Sequence, residues 1–158
     1  MKGQHHYKID VQWTGNTGTG TLHYRTYERS HIISTDNKAD ILGSSDPSFR
    51  GDKTKHNPED LLLASISACH LLWYLHVCSD AGVVVIDYID HAEGTMVESP
   101  DGSGHFTEVT LHPIVTVAES DMVENALQLH KKANEMCYIA NSLNFPVHHI
   151  PVVNEPVL

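Results

Sequence analysis

Tyr7, Ile9, Val11 and Trp13 alternate with Lys8, Asp10 and Gln12, the period of two that a strand with one buried face imposes. Gly15-Asn16-Thr17-Gly18-Thr19-Gly20 predicts a turn and Thr21 to Tyr27 a second strand, so the chain is expected to open on a hairpin. No helix follows these glycines, which argues against a phosphate loop. From Thr35 to His56 apolar residues are sparse among Asp, Ser, Gly, Pro, Lys and Asn, and a long surface loop is predicted, a kind of segment that often carries function.

A helix start follows. Asn57 is a good N-cap, Pro58 suits the first helical position, and Glu59 and Asp60 complement the helix dipole. The helix is predicted to run to about Ala81 with Gly82 closing it. Roughly 24 helical residues rise about 36 Å, the width of a small domain. Leu61 to Leu63, Ile66, Leu71 to Trp73, Leu75 and Val77 surround this axis instead of forming one stripe, so the helix is expected to be covered on nearly all sides. One small domain has little material for that, and a homodimer is expected. Ser65, Ser67, His70 and His76 interrupt the apolar run and nothing flanks it as an anchor, which favours a buried helix over a membrane span.

Val83 to Ile89 reads as a strand, and Thr107 to Val117 as another with Val109, Leu111, Val115 and Val117 on one face. Pro100-Asp101-Gly102-Ser103-Gly104 is the expected turn between them. Ser120 is expected to cap a second helix with Val123, Leu127, His130 and Cys137 on one face, Pro146 to stop it, and Val147 to Val153 to add a closing strand. The order β-β-α-β-β-α-β predicts an α+β fold with antiparallel sheet around a long central helix. With 158 residues and no repeat or linker, a single domain over 1–158 is expected.

Composition narrows the function. Ten Lys and Arg against 20 Asp and Glu leave no cationic footprint for nucleic acid. Three cysteines, an odd number in apolar or helical surroundings, do not make a secreted disulfide scaffold, and Met-Lys-Gly-Gln-His-His-Tyr lacks the apolar core of a signal peptide. A cytoplasmic chain with reduced thiols is expected.

Cys69 and Cys78 lie nine positions apart, about 13 Å of helical rise and roughly opposite faces. A disulfide needs Cα atoms within about 7 Å. An intact helix therefore forbids that pair and leaves Cys137, on another element, as the intramolecular partner of Cys69. By default a buried cysteine is a small hydrophobe. Reactivity at Cys69 requires a nearby cation, because apolar burial raises a thiol's pKa. His70 points about 100° away around the helix. Arg50 ranks first and Arg29 second, since arginine stays charged and offers a rigid fork of donors. Glu59, about 15 Å along the axis from Cys69, cannot reach it within one helix but could across antiparallel helices of a dimer. Otherwise Glu59 serves only the helix dipole, Arg50 is a solvated charge and Cys78 is inert core.

Thirteen histidines raise the question of a metal. Cys69, His70, His76, His148 and His149 fit no zinc spacing, and His70 and His76 diverge by about 120°. No metal is expected, and no flavin or nicotinamide motif points to a cofactor.

Asn57-Pro58-Glu59-Asp60-Leu61-Leu62-Leu63-Ala64, then Ala68-Cys69 and Met136-Cys137, resemble the OsmC/Ohr family of thiol peroxidases over most of the chain. The resemblance implies an intertwined homodimer with sites at its interface, Cys69 as the peroxidatic cysteine and Cys137 as the resolving one. Members of the Ohr type carry the site arginine in the Gly-rich hairpin, where this chain has Thr17. Phe49-Arg50-Gly51 resembles the OsmC-type segment, so the resemblance places Arg50 in the site and the chain nearer OsmC. It further implies that Arg50, held by Glu59, supports the thiolate, that a peroxide oxidises Cys69 to a sulfenic acid, and that an external dithiol reduces the resulting Cys69–Cys137 disulfide. Leu72 and Trp73 would favour organic hydroperoxides. Two positions depart from the pattern: His70 stands where an aromatic is common, and Tyr138 where proline often follows the second cysteine. The competing expectation is a non-catalytic protein of the same fold that binds a small apolar ligand.

Overall fold

The computed structural model describes residues 3–156. Two compact units divide the chain, Met1–Leu61 and Leu62–Leu158.

The first unit carries three strands, β1 (Asp10–Trp13), β2 (His31–Ser34) and β3 (Ile41–Gly43), in an antiparallel sheet of that order. β1 falls inside the predicted alternation, with Val11 opposite Ile33 and Trp13 opposite His31. The expected strand over Thr21 to Tyr27 is a run of turns, and the partner of β1 comes later. Local side chains explain this. Asn16 Oδ1 accepts the N–H groups of Gly18 and Gly20 at 2.9 and 3.0 Å, and the Thr26 hydroxyl donates to the His23 carbonyl at 2.9 Å, bonds that compete with a ladder. The excursion closes where Glu28 N–H donates to the Gly15 carbonyl at 2.8 Å. A Cβ on Gly15 would sit 2.0 Å from the Glu28 oxygen, so only glycine allows that approach. β3 lies within the predicted loop: its three residues are too few to show a period, and pairing with β2 makes them a strand.

Helix α1 (Pro58–Asp80) has the predicted ends. Asn57 Oδ1 accepts the Asp60 N–H at 2.7 Å and Asp60 Oδ2 accepts the Asn57 N–H at 3.3 Å, a reciprocal capping box. At the other end Gly82 takes φ 72°, Gly82 N–H donates to Ser79 O and Val83 N–H to Cys78 O at 3.2 and 2.9 Å, the two bonds of a Schellman close.

In the second unit the chain makes two three-stranded sheets, one of β4 (Val85–Asp90), β7 (Pro113–Val117) and β9 (Val152–Asn154), the other of β5 (Glu93–Glu98), β6 (Gly104–Leu111) and β8 (Val147–His149). The expected continuous strands over Thr107–Val117 and Val147–Val153 each split in two and change sheet at His112-Pro113 and Ile150-Pro151. Proline donates no ladder bond and sits at strand starts, which is its place in β7 and just before β9. The turn Pro100–Gly104 joins β5 to β6, and β5 was not expected at all. Its burial explains why: all six residues are exposed, with no apolar alternation to read. The antiparallel expectation holds for β4–β7 and β5–β6, but β6–β8 and β7–β9 are parallel, so both sheets are mixed.

Val109, Leu111, Val115 and Val117 are all buried, as their alternation predicts. They feed two adjoining clusters. One gathers Ile66, Val109 and Leu111, the other Tyr74, Cys78, Val83, Val115, Val117, Ala126 and Ala133. Each aliphatic side chain fully buried this way contributes about 1.5–3 kcal/mol. Helix α2 (Val123–Met136) turns Ala126, His130 and Ala133 inward while Leu127 is 41% exposed. The helix is shorter than expected, ending ten residues before Pro146. Ser120 opens a 3-10 turn before it, and neither segment has a side-chain cap bond.

α1 buries a single line, Ile66, His70, Tyr74 and Cys78, at intervals of four, and leaves Leu72 67% and Leu75 39% exposed. The expectation of cover on nearly all sides is therefore not met within one chain.

Candidate thiol site

Cys69 sits half-buried on α1, one residue off the buried line, and Trp73 follows one turn later on the same face. Cys137 is buried at the close of α2, with φ −66° and ψ 109°, out of the helical ladder. Two successive turns fix its shape: Cys137 N–H donates to Asn134 O at 3.3 Å, Asn141 N–H to Cys137 O at 3.0 Å, and Ala140 N–H to Cys137 Sγ at 3.4 Å.

The fold makes the Cys69 and Cys137 thiols neighbours, and both are free. Burial pushes the Cys137 thiol up to about 11, the Ala140 N–H pulls it down, and the neighbouring Cys69 raises it further. Cys137 is thus protonated at neutral pH. Cys78, about two and a half turns beyond Cys69, is 1% exposed, and burial raises its pKa too.

A polar tie holds the Cys69 turn of α1. Ser67 Oγ donates to Asp90 Oδ2 at 2.5 Å, while Asp90 Oδ1 accepts the His112 N–H at 2.7 Å. One carboxylate therefore joins the helix, the end of β4 and the sheet change before β7. Behind the thiols the His70 and His130 rings stack at 5.4 Å with Nε2 of the first 3.0 Å from Nδ1 of the second, and Tyr74 lies 3.8 Å over His130. Burial drives His70 down to about 4 and His130 to about 3, and His149 adds to both shifts. Both rings are neutral near pH 7, so His70 brings no positive charge to its neighbour Cys69. His130 and His149 carried no recognisable motif in the sequence. Only the helical spacing of His130 with Ala126 and Ala133 signals an inward ring.

Arg50 and Glu59 belong to the first unit. Arg50 closes the short 3-10 turn Pro47–Phe49 with φ 66° and an exposed side chain. Glu59 is partly buried, and its Oε2 is buried without a hydrogen-bond partner. Among the described residues the ion pairs are Lys55–Asp52, His76–Asp80 and His112–Glu93, and neither Arg50 nor Glu59 enters one. The expected Arg50–Glu59 pair is not formed within the chain. Arg29, the second choice, is engaged locally: its guanidinium donates to the Tyr27 and Tyr24 carbonyls at 2.5 and 2.6 Å and lies over both rings at 4.2 and 4.3 Å. Among the described residues no group of three or more His, Cys, Asp and Glu has metal-binding geometry.

These features, two mixed sheets packed on a long helix with a thiol facing a second thiol at the end of another helix, define an α+β protein of the OsmC type. Residues 51–150 match the family described as OsmC-like protein, and the chain belongs to it. Among solved structures, an OsmC-like protein of unknown function from Vibrio cholerae is 24% identical with a TM-score of 0.84, covering 94% of this chain and 100% of that one. An organic hydroperoxide resistance protein from Elizabethkingia anophelis is 21% identical with a TM-score of 0.67, covering 99% and 100%. An organic hydroperoxide resistance protein, OsmC, from Legionella pneumophila is 20% identical with a TM-score of 0.67, covering 95% and 98%. No curated protein matches the chain.

Proposed function

We propose that this protein is a cysteine-based peroxidase that reduces organic hydroperoxides with electrons from an external dithiol. The observation that carries the reading is the pairing of a half-buried Cys69 with a neighbouring buried, protonated Cys137. Two members of the structural family bear the name organic hydroperoxide resistance protein, which accords with it.

The Cys69 thiolate attacks one peroxide oxygen, the O–O bond breaks, and the alkoxide leaves and takes a proton as the alcohol. Cys69 is then a sulfenic acid. Cys137 attacks its sulfur, and water departs as the Cys69–Cys137 disulfide forms. A dithiol reduces that disulfide, so the sum is hydroperoxide plus dithiol giving alcohol, water and oxidised dithiol. Burial keeps Cys137 protonated and unreactive toward peroxide, which divides the labour between the thiols. Trp73 supplies apolar surface one turn from Cys69.

The same reading includes a homodimer. Leu72 and Leu75 leave an apolar side of α1 exposed, and the unpartnered Glu59 Oε2 is suited to an arginine. Arg50 and Glu59 of one copy are assigned to the Cys69 site of the other, where the guanidinium stabilises the thiolate. A monomer with full activity would sink that assignment.

A second reading has its own observation. Leu62, Phe106, Leu143 and Phe145 line a cleft of about 530 Å³ with two stacked phenyl rings, large enough for a small apolar ligand. One experiment separates the two. With cumene hydroperoxide and a dithiol, the wild type should consume reductant and Cys69→Ser should not; equal slow consumption by both would refute the enzyme and leave the binding protein.

A further inference from the structure

We propose that Trp73 and Tyr138 are positioning residues that hold Cys137 against Cys69 for disulfide formation. This rests on the peroxidase reading and specifies what governs the fate of oxidised Cys69.

Two contacts bridge the same two elements side by side. Cys69 and Trp73 are one turn apart on α1, and Cys137 and Tyr138 are consecutive at the end of α2. The thiols are neighbours, and the Trp73 and Tyr138 rings meet edge to face with centroids 5.4 Å apart and planes at 84°. That is the favoured aromatic geometry, a ring edge directed at a ring face. Tyr138 spends its ring on this contact although 68% exposed.

The hydrogen bonds around Cys137 do not perform this task. Those of Cys137 N–H with Asn134, Asn141 N–H with Cys137, and Asn141 Nδ2 with the Glu135 carbonyl at 3.0 Å all stay inside the segment 134–142. So does that of the Ser142 hydroxyl with the Tyr138 carbonyl at 2.8 Å. They make the segment stiff without tying it to α1. Ile139 and Leu143 seat its far side on the Ile66 cluster. The Trp73–Tyr138 pair ties the side next to the sulfur.

Position matters because the sulfenic acid on Cys69 has two fates. Condensation with Cys137 forms the S–S bond, breaks the S–O bond and releases water, at a rate independent of peroxide. A second hydroperoxide instead transfers an oxygen to the same sulfur, leaving a sulfinic acid and an alcohol. The first route is intramolecular and steeply sensitive to placement, the second is not. A displaced Cys137 loses the competition.

The test is a peroxide titration of the reduced protein, read by intact mass and by peptide mapping of Cys69. Wild type and Tyr138→Phe, which keeps the ring, should lose two hydrogens and form the disulfide. Tyr138→Ala should accumulate sulfinic acid on Cys69 at peroxide levels roughly ten- to a hundredfold lower than wild type, with the rate of the first peroxide consumption unchanged. Trp73→Leu should likewise lower the peroxide level at which sulfinic acid accumulates, whatever it does to the first peroxide step, and the double variant should be no worse in this than the larger single effect, since both remove one contact. Disulfide yields in Tyr138→Ala equal to wild type at every peroxide level, or multiplicative effects in the double variant, would overturn the positioning role and leave the peroxidase intact. A wild type in which peroxide never oxidises Cys69 would overturn both.

Discussion

The two faces of α1 use the same residue types to opposite ends. On one, Ile66, His70, Tyr74 and Cys78 are sealed into the core, and burial above all keeps the histidine neutral and the Cys78 thiol protonated. On the flank beside it, Cys69 and Trp73 are partly exposed and have Cys137 and Tyr138 as neighbours, while Trp73 also packs on the Tyr74–Cys78 cluster. Nine positions separate Cys69 from Cys78, and the half-turn between them decides whether a thiol is partly exposed or sealed. A cysteine's role follows from what its face of the helix meets, not from the apolar company it keeps in sequence.

The largest effect that could break this contrast is catalytic. Cys69→Ser should lower peroxide-dependent dithiol oxidation by at least about a thousandfold, whereas Cys78→Ala should leave it within about twofold. A comparable loss from Cys78→Ala in a folded protein would show that the two faces are not functionally distinct. Stability sharpens the contrast from the other side. Ile66→Ala, on the sealed line, should cost about 2–5 kcal/mol in urea unfolding, and Leu72→Ala, exposed in the chain, under about 0.5 kcal/mol. If Leu72→Ala instead costs as much as Ile66→Ala and the loss depends on protein concentration, a second copy covers that side.

Acid should act on the sealed face and on the histidines packed against it. His70 and His130 bind no proton in the folded protein until pH falls to about 4 and about 3, while an unfolded histidine takes one near pH 6.5. Between these values the unfolded chain holds more protons, so stability falls with falling pH. His149 is depressed as well and pushes in the same direction, and the Asp90 carboxylate opposes the shift at His70. Unfolding free energy should drop by about 2–4 kcal/mol from pH 7 to pH 5, and a flat profile would mean that the histidine stack is hydrated. The smallest expected effect is at the start of α1. Asn57→Ala removes the Asp60 N–H acceptor and should cost about 1 kcal/mol, read as a lowered urea midpoint with peroxide consumption retained.

Where the chain carries local signals, its structure follows them closely. The ends of α1 were legible because Asn57-Pro58-Glu59-Asp60 and Gly82 act within one turn of themselves. The inward face of β6 and β7 was legible because alternation needs only a neighbouring core. The failures share a cause too. Thr21 to Tyr27 looks like a strand until Asn16 and Thr26 bond the backbone locally. The single strand read over Thr107 to Val117 turns between sheets at a proline whose role depends on Asp90, some twenty residues earlier, accepting the His112 N–H. β5 has no apolar alternation because neither face is buried in the chain.

The amino-acid pattern by itself determined the α+β class, the long helix with its two caps, the exclusion of Cys78 as a partner for Cys69, and the resemblance on which Cys69 and Cys137 were paired. Each depends on helical rise, capping or alternation, which act over a few residues. Tertiary structure alone decided the parallel pairs β6–β8 and β7–β9, the neutral histidine stack behind the thiols, the tie from Ser67 through Asp90, and the meeting of Trp73 with Tyr138. Those join positions some 20 to 65 apart in the chain, and a contact closed over that distance leaves no period in the sequence to be read.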